Sequence, residues 1–496
     1  RPKEDVLPKM QCNFYQRAID NAASRLIAGR PIFQINPGDP DQSAIDRARI
    51  AERVLTSEWS RMGMDRLKSD IIKSVILFGD SVLKVEWDPH SGGVIGQEPI
   101  VATDPLTGAP ITQTVVDPTS GEEVQQPIVY GMRDIHEGNA AVSVFHPSDF
   151  SYDPSVTDIR FATWALLKVR RSTEWVWRNY QRSVGTGVDD DRHGRSRSMS
   201  SAREDEVDVY ELWLVPGTYR TGDDSNDQVT LADGFVVVCT KDVVLSKGPM
   251  PNADKKLPFI HVRCSRVPGR QWGETWANGL RGLQFSLNKT LAQITNANDL
   301  MGNPQWLVPT QSMAKDSSFR GRPGAVVKYE HRANVPPPER LDGKTVSPGV
   351  FNYISIALGE LVPAITGQRA GGIAGGTPTG VEAGVAFAEI IERDMAALAE
   401  VANELQLCYE ELGEKTLSLV HQHWRLPRVV AVVGAYNATE AYQFSGKDVK
   451  DSFQVKVQPD SVAPQSKAAK FNKWMTLFQA GLASPRETRL QVGGGD

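Results

Sequence analysis

The sequence predicts a mixed α+β fold of several units, and three observations carry that prediction. Apolar side chains recur at helical spacing near both ends of the chain, residues from about 90 to 265 alternate in the manner of strands, and residues 381–424 contain no proline while their apolar positions step by four and three. Of 496 residues, 40% are hydrophobic and 23% charged, too apolar for a disordered polymer. The longest apolar run, Val429–Ala435, falls far short of the ~20 residues that a membrane-spanning helix needs. A formal net charge of −5 excludes a protein that coats nucleic acid by charge, although local basic surfaces are still allowed.

Taken in order, Phe14, Ala18, Ala22, Leu26 and Ile27 share a helical face that ends at Gly29-Arg30-Pro31. A second helix is expected from Ser43 to about Met62 and a third from Asp65 to Phe78, stopped by Gly79. Ser81–Trp87 then alternates as a strand and turns at Asp88-Pro89. Val129–Met132, Ala141–Phe145, Trp164–Val169, Val207–Val215, Phe235–Thr240 and Pro258–Cys264 read as strands, with one helix at Glu174–Tyr180. Ser183–Glu206 and Gly217–Asp227 read as loops. Helical spacing returns over Gly273–Met301 and stops at Gly302-Asn303-Pro304. A strand-and-turn segment, 305–345, leads to a helix from Pro348 to about Ile365 and a Gly/Thr stretch, 366–379. The seam Ile391, Met395, Leu398, Ala402, Leu405, Tyr409, Leu412 marks the long helix; β-like residues 428–458 and a last helix, Ser466–Ala480, follow.

Signs of catalysis are few. Gly343-Lys344-Thr345 ends like a phosphate loop, but Pro338 stands where the motif's first glycine belongs and has no N–H for phosphate. His421-Gln422-His423 diverge on a helix and read as surface residues; Asp189–His193 offers ligands on a loop too pliant to preorganise them. No GxSxG, HExxH or helix-leading GxGxxG is present. Neither an enzymatic centre, a metal nor a cofactor is therefore expected. Cys12, Cys239, Cys264 and Cys408 lie far apart and read as reduced, buried thiols. No leader core shows in Arg1–Lys9, and Arg1 and Gly493–Asp496 are expected to be internal to a longer chain.

The order of these pieces resembles the portal proteins of tailed bacteriophages. The phrases that carry the likeness are Leu77–Ser81, Lys84–Pro89, Gly273-Glu274 with Leu283-Gln284 and Asn288, Leu300–Pro304, Arg322-Pro323-Gly324, Leu361–Gly367 and Gly371–Thr379. The resemblance implies a wing over 1–272, a first stem helix over 273–301, a clip over 302–347, a second stem helix over 348–366 and a tunnel loop over 367–380. It further implies a wing or spine helix over 381–425, a C-terminal β part of the wing over 426–465, and a final helix over 466–496 leading to a short or missing crown. Function follows by the same analogy: a ring of about twelve copies at one capsid vertex, through which terminase packages double-stranded DNA and from which the genome is ejected. Implied partners are the chain itself, terminase large subunit, a head–tail adaptor, and major capsid and scaffold proteins. The implied location is the virion, with assembly in the host cytoplasm.

Named residues give this analogy physical content. The tunnel loop is assigned Gln368, Arg369, Gly371, Gly372, Gly375, Gly376, Thr377 and Thr379, small groups that approach a duplex without holding it. Stem lining is assigned to Glu274, Arg281, Lys289, Asp299 and Glu360, whose signs offset one another. Partner docking at the clip is assigned to Lys315, Arg320, Arg322, Lys328, Arg332 and Arg340, in a segment that is locally basic. The rivals are a connector or baseplate subunit without a DNA tunnel and a terminase- or nuclease-like enzyme.

Overall fold

The computed structural model describes residues 12–37, 41–101, 111–116, 123–186, 205–220, 228–275, 277–302, 346–362, 398–424, 428–433, 439–444, 454–458 and 467–481, with the short strands 305–307 and 339–341 and a few isolated positions. Three helices open the fold: α1 (Phe14–Ile27), α2 (Gln42–Arg61) and α3 (Met64–Phe78). The Asn13 side chain caps α1 by accepting the Gln16 N–H. Gly79, at φ 88°, ends α3 in the left-handed region where glycine pays no Cβ penalty.

These helices cover one face of a three-stranded antiparallel sheet in which β2 (Asp80–Asp88) lies between β15 (Phe259–Arg263) and β7 (Asn139–Phe145). The first six residues of β2 are all buried, because helices cover one face and a second sheet the other. That second sheet is five-stranded, ordered β14 (Val244–Gly248), β13 (Phe235–Cys239), β10 (Glu206–Leu214), β9 (Trp164–Ser172), β8 (Phe150–Tyr152). The short helix α4 (Thr173–Tyr180) follows β9 directly. Helix α7 (Ala399–His423) joins the main core, where Trp59 meets Tyr409 edge-on with ring centres 5.2 Å apart. Strand β1 (Phe33–Asn36) pairs with β20 (Gln454–Val457), so the two ends of the chain close one layer.

Two ribbons stand outside these sheets: β3 (Val94–Val101) with β6 (Val129–His136), and β4 (Thr112–Val116) with β5 (Glu123–Pro127). The remaining pairs are β11 (Gly217–Arg220) with β12 (Gln228–Leu231), β16 (Gln305–Leu307) with β17 (Glu339–Leu341), and β18 (Arg428–Val433) with β19 (Thr439–Phe444). Helices α5 (Ala277–Gly302), α6 (Pro348–Ile356) and α8 (Lys467–Gln479) complete the described α-helices, and single 3-10 turns form at Pro147–Asp149 and Ile159–Phe161.

Three expectations need correction. Gly217–Arg220, read as loop, forms β11 because Tyr219 donates its hydroxyl to the Val215 carbonyl at 2.7 Å and draws the strand back onto the sheet. His423, read as a surface residue, stacks on Trp87 with ring centres 4.4 Å apart. Cys264 and Cys408 are buried as expected, whereas Cys12 and Cys239 are half-exposed free thiols. Of the expected long helix, Ala399–His423 is observed, and most of 381–398 lies outside the described residues.

Candidate functional site

The candidate site is built where α5 leaves the sheets, and its root is a close approach of two backbone segments. A Cβ on Gly273 would lie 2.7 Å from the Gly79 carbonyl oxygen, so only glycine lets the lead-in of α5 pass the end of α3. Asp80 Oδ1 accepts the Gly273 N–H at 2.8 Å and is also 2.8 Å from His261 Nε2. The Thr275 hydroxyl donates to the Ile76 carbonyl, and the Glu274 N–H to the Ser265 carbonyl at 3.0 Å. The Tyr152 hydroxyl lies 3.5 Å from His261 Nδ1, and burial pushes its pKa up to about 12, against a smaller opposing effect from Arg263. Five elements thus meet at one buried polar cluster that fixes where α5 begins.

Beyond the root, α5 packs on one side only. Leu280 and Val362 share a small core with Ala18 of α1, flanked by Phe14, Tyr15, Leu283 and Leu358. Gln284 accepts the Tyr15 N–H at 3.0 Å and donates to the Cys12 carbonyl at 2.6 Å, which ties the start of α1 to α5. Ser286 Oγ and the Tyr353 hydroxyl lie 2.8 Å apart, joining α5 to α6. Helix α6 continues through one π turn, Ala357–Leu361.

The opposite side of α5 is exposed: Asn278, Arg281, Gly282, Phe285, Lys289 and Gln293 recur at threes and fours along it. Phe285 is 74% exposed, and on α6 and its π turn Phe351, Ile356 and Leu361 are exposed as well. Sequence reasoning missed these apolar groups, which it read only as part of a helical pattern.

The assigned lining residues fall in different places. Arg281, Lys289 and Asp299 are exposed on α5, and Glu360 is exposed in the π turn. Glu274 is also exposed but is not on the helix, which begins at Ala277 rather than at 273: the N–H of Gly273 bonds Asp80 and that of Glu274 bonds Ser265 instead of entering a helical ladder. All eight tunnel-loop residues, Gln368, Arg369, Gly371, Gly372, Gly375, Gly376, Thr377 and Thr379, lie outside the described residues. So do the clip residues Lys315, Arg320, Arg322, Lys328 and Arg332, while Arg340 sits in β17 opposite Trp306.

A cleft of about 1140 Å³ runs along α7, between it and the segments 158–163 and 253–266. Its charges are largely paired: Arg266 with Glu404 at 2.6 Å, Lys456 with Glu410 at 3.3 Å, and Lys415 with Glu411 at 3.5 Å. Burial pushes the Glu411 and Glu414 carboxyls up. Among the described residues, no group of three or more His, Cys, Asp or Glu is placed to hold a metal ion, and no helix is long and apolar enough to cross a membrane.

No curated protein matches the chain. A family model described as Phage P22-like portal protein matches residues 139–489, which takes in the five-stranded sheet, the lead-in, both candidate stem helices and α7. With well over half its length inside that match, and with a helix pair anchored to a mixed α/β body and exposed on its outer side, the chain belongs to the P22-like portal protein family of phage virion structural proteins that serve DNA packaging.

Proposed function

We propose that copies of this chain close into a ring, commonly twelve, whose central opening conducts double-stranded DNA during packaging and ejection. One observation carries the reading. Helices α5 and α6 form a pair rooted on the wing, yet they leave Phe285, Phe351, Ile356 and Leu361 uncovered in the protomer. Apolar side chains 39% to 74% exposed on two adjacent helices call for a protein neighbour, and in a ring that neighbour is the same helix pair of the next copy. Arg281, Lys289, Asp299 and Glu360 then lie along or beside the opening, with Gln368–Thr379 as the loop nearest the duplex. The segment 302–347 docks terminase and later a tail adaptor, and the wing faces shell and scaffold proteins at the capsid vertex.

Electron microscopy of the purified protein tests this. Closed rings with a central hole wide enough for a duplex support the reading, and Phe285→Glu with Phe351→Glu should abolish them while leaving the protomer folded. Rings that persist in that variant, or open filaments in the wild type, would refute it.

A further inference from the structure

The segment from Val94 to His136 differs from the rest of the molecule in three independent ways. It lies outside the cores: among the described residues, none between 94 and 136 belongs to any of the four buried clusters. The ribbon of β3 and β6 spans about 27 Å at ~3.4 Å per residue, and β5 continues into β6 through Ile128, whose N–H donates to the Ile111 carbonyl at 2.9 Å. It also lies outside the family match, which begins at residue 139. Finally, it concentrates charge. Glu98, Asp104, Asp117, Glu122, Glu123 and Asp134 stand against Arg133 alone, a net of −5, so the remainder of the chain is electrically balanced.

An isolated two-stranded ribbon is marginal in water, and this one displays apolar side chains instead of hiding them. Tyr130 is 77% exposed, Met132 63%, Val94 55% and Ile95 52%. Two register shifts account for part of the display. Val94 pairs with His136 and Gly96 with Ile135, so Ile95 is extra on one strand; Ile100 pairs with Gly131 and Val101 with Val129, so Tyr130 is extra on the other. Bulges re-aim side chains, and here they present an aromatic and a β-branched residue on an acidic arm.

The same chain carries a surface of opposite character. Trp164–Arg182 holds Lys168, Arg170, Arg171, Arg178 and Arg182 against Glu174. Lys168 and Arg170 are occupied by Asp208 at 2.9 and 3.2 Å. Arg171, Arg178 and Arg182 are exposed, with Trp177 half-exposed between them on α4. Arg171 lies over the Trp175 ring at 4.6 Å, and Arg178 pairs with Glu174 at 2.9 Å in a solvent-exposed contact one turn away, which is weak enough to yield to a partner carboxylate. Acidic and apolar on the arm, basic and aromatic on α4: the two surfaces match in charge and in chemistry. They are different patches of one polypeptide, so their union between copies is head-to-tail, the arrangement that closes into rings.

We infer that the ribbon of β3 and β6 docks on the α4 surface of a second copy of this chain, with Tyr130 and Met132 against Trp177 and the Glu98 and Asp134 carboxylates against Arg171, Arg178 and Arg182. The inference rests on the ring reading and adds to it a clasp at the wing, distinct from the α5–α6 contact.

The arm can be removed cleanly. Glu137 N–H donates to the Gly93 carbonyl at 3.0 Å and Gly138 N–H to the Ser91 carbonyl at 2.9 Å, so the chain ends at the arm's base already face each other across a hairpin. Replacing residues 94–136 by a two-residue Asn-Gly turn should leave the protomer intact. Analytical ultracentrifugation should then show ring dissociation at a protomer concentration at least tenfold higher than in the wild type. Arg178→Glu with Arg182→Glu should match that loss, which should lessen with rising salt in the wild-type comparison. Tyr130→Cys combined with Trp177→Cys should give an oxidised ladder of linked copies absent from either single variant. Arm-less protein that assembles at the wild-type concentration overturns the inference. So does assembly that needs the arm but is indifferent to both arginines and gives no ladder, which would send the arm to another molecule. Wild-type rings with an idle arm defeat only this clasp; wild-type protein that never forms rings defeats the conduit reading beneath it.

Discussion

Gly273→Ala and Gly282→Ala are expected to move the same helix in opposite directions. At 273 the added Cβ would sit 2.7 Å from the Gly79 carbonyl oxygen, 3.0 Å from Arg263 Cβ and 3.1 Å from the Ser265 carbonyl oxygen. Two of these neighbours are backbone, so relief requires the lead-in itself to shift by several tenths of an ångström. Overpacking of this kind costs about 1–3 kcal/mol. The shift also lengthens the Gly273 N–H bond to the Asp80 carboxylate, and such charge-assisted bonds contribute about 1.5–3 kcal/mol when whole. With partial loss of each, the start of α5 should be destabilised by about 2–4 kcal/mol. At 282 a Cβ meets nothing within 4 Å, and the residue is exposed within a helix. Glycine there costs about 1 kcal/mol relative to alanine, which the substitution recovers. Amide hydrogen exchange of peptides covering 277–290 in the unassembled protomer reads both effects. Since ~1.4 kcal/mol is a factor of ten, Gly273→Ala should speed exchange roughly 30- to 1000-fold and Gly282→Ala should slow it roughly fivefold. Equal exchange in the Gly273 variant and the wild type, or a shift of both variants in one direction, would refute the bolted root.

Two further expectations concern contacts that hold the α5–α6 pair and the turn after β8 in place. Ser286→Ala and Tyr353→Phe should each weaken the α5–α6 pair by about 0.5–1.5 kcal/mol, and the double variant should cost less than the sum, because the two hydroxyls are each other's partner at 2.8 Å; strict additivity in a double-mutant cycle would show that the contact is absent in solution. Asp153 accepts the Ser155 and Thr163 hydroxyls at 2.6 Å each, which holds its carboxyl at about 2. A folded pKa below the unfolded one gives stability that is full above the ordinary carboxylate range and is lost as pH falls towards 2. The melting difference between wild type and Asp153→Asn should therefore shrink between pH 4 and pH 2, and a difference that stays constant over that span would contradict the assignment.

Local pattern made the helices legible. The second helix, expected at 43–62, is found at Gln42–Arg61, and the third, expected from Asp65, starts at Met64. At the N-cap of α7 and along it, the seam residues Leu398, Leu405, Tyr409 and Leu412 are buried together, as a four-three repeat requires. What escaped was decided by distant chain. The lead-in 273–275 has helical neighbours in sequence, yet its polar groups bond Asp80, Ser265 and Ile76. Strand β1 exists because residues 454–457 return to pair with it, which nothing near Phe33 announces. Of the β-arm, Val129–Met132 in β6 was legible as a strand, but its partner escaped for another reason: Gly96 and Pro99 interrupt β3, and a ribbon with no core to face has no reason to alternate.

The arm also changes what net charge can mean for a channel. A mildly acidic total suits a conduit that must not grip DNA, but the whole excess of −5 resides in residues 94–136. Along the proposed lining the count is different: α5 carries Arg281 and Lys289 against Asp299, and α6 with its π turn carries Glu360 alone, so the helix pair is neutral. Each phosphate paired with a fixed cation adds affinity, and each carboxylate opposite one adds repulsion. A neutral pair repeated around an axis does neither on balance. Easy passage would then come from charge cancellation within each subunit's helix pair and not from an acidic wall, and Asp299→Lys, which leaves that pair at +2, is the substitution that should slow DNA most for the smallest change in fold.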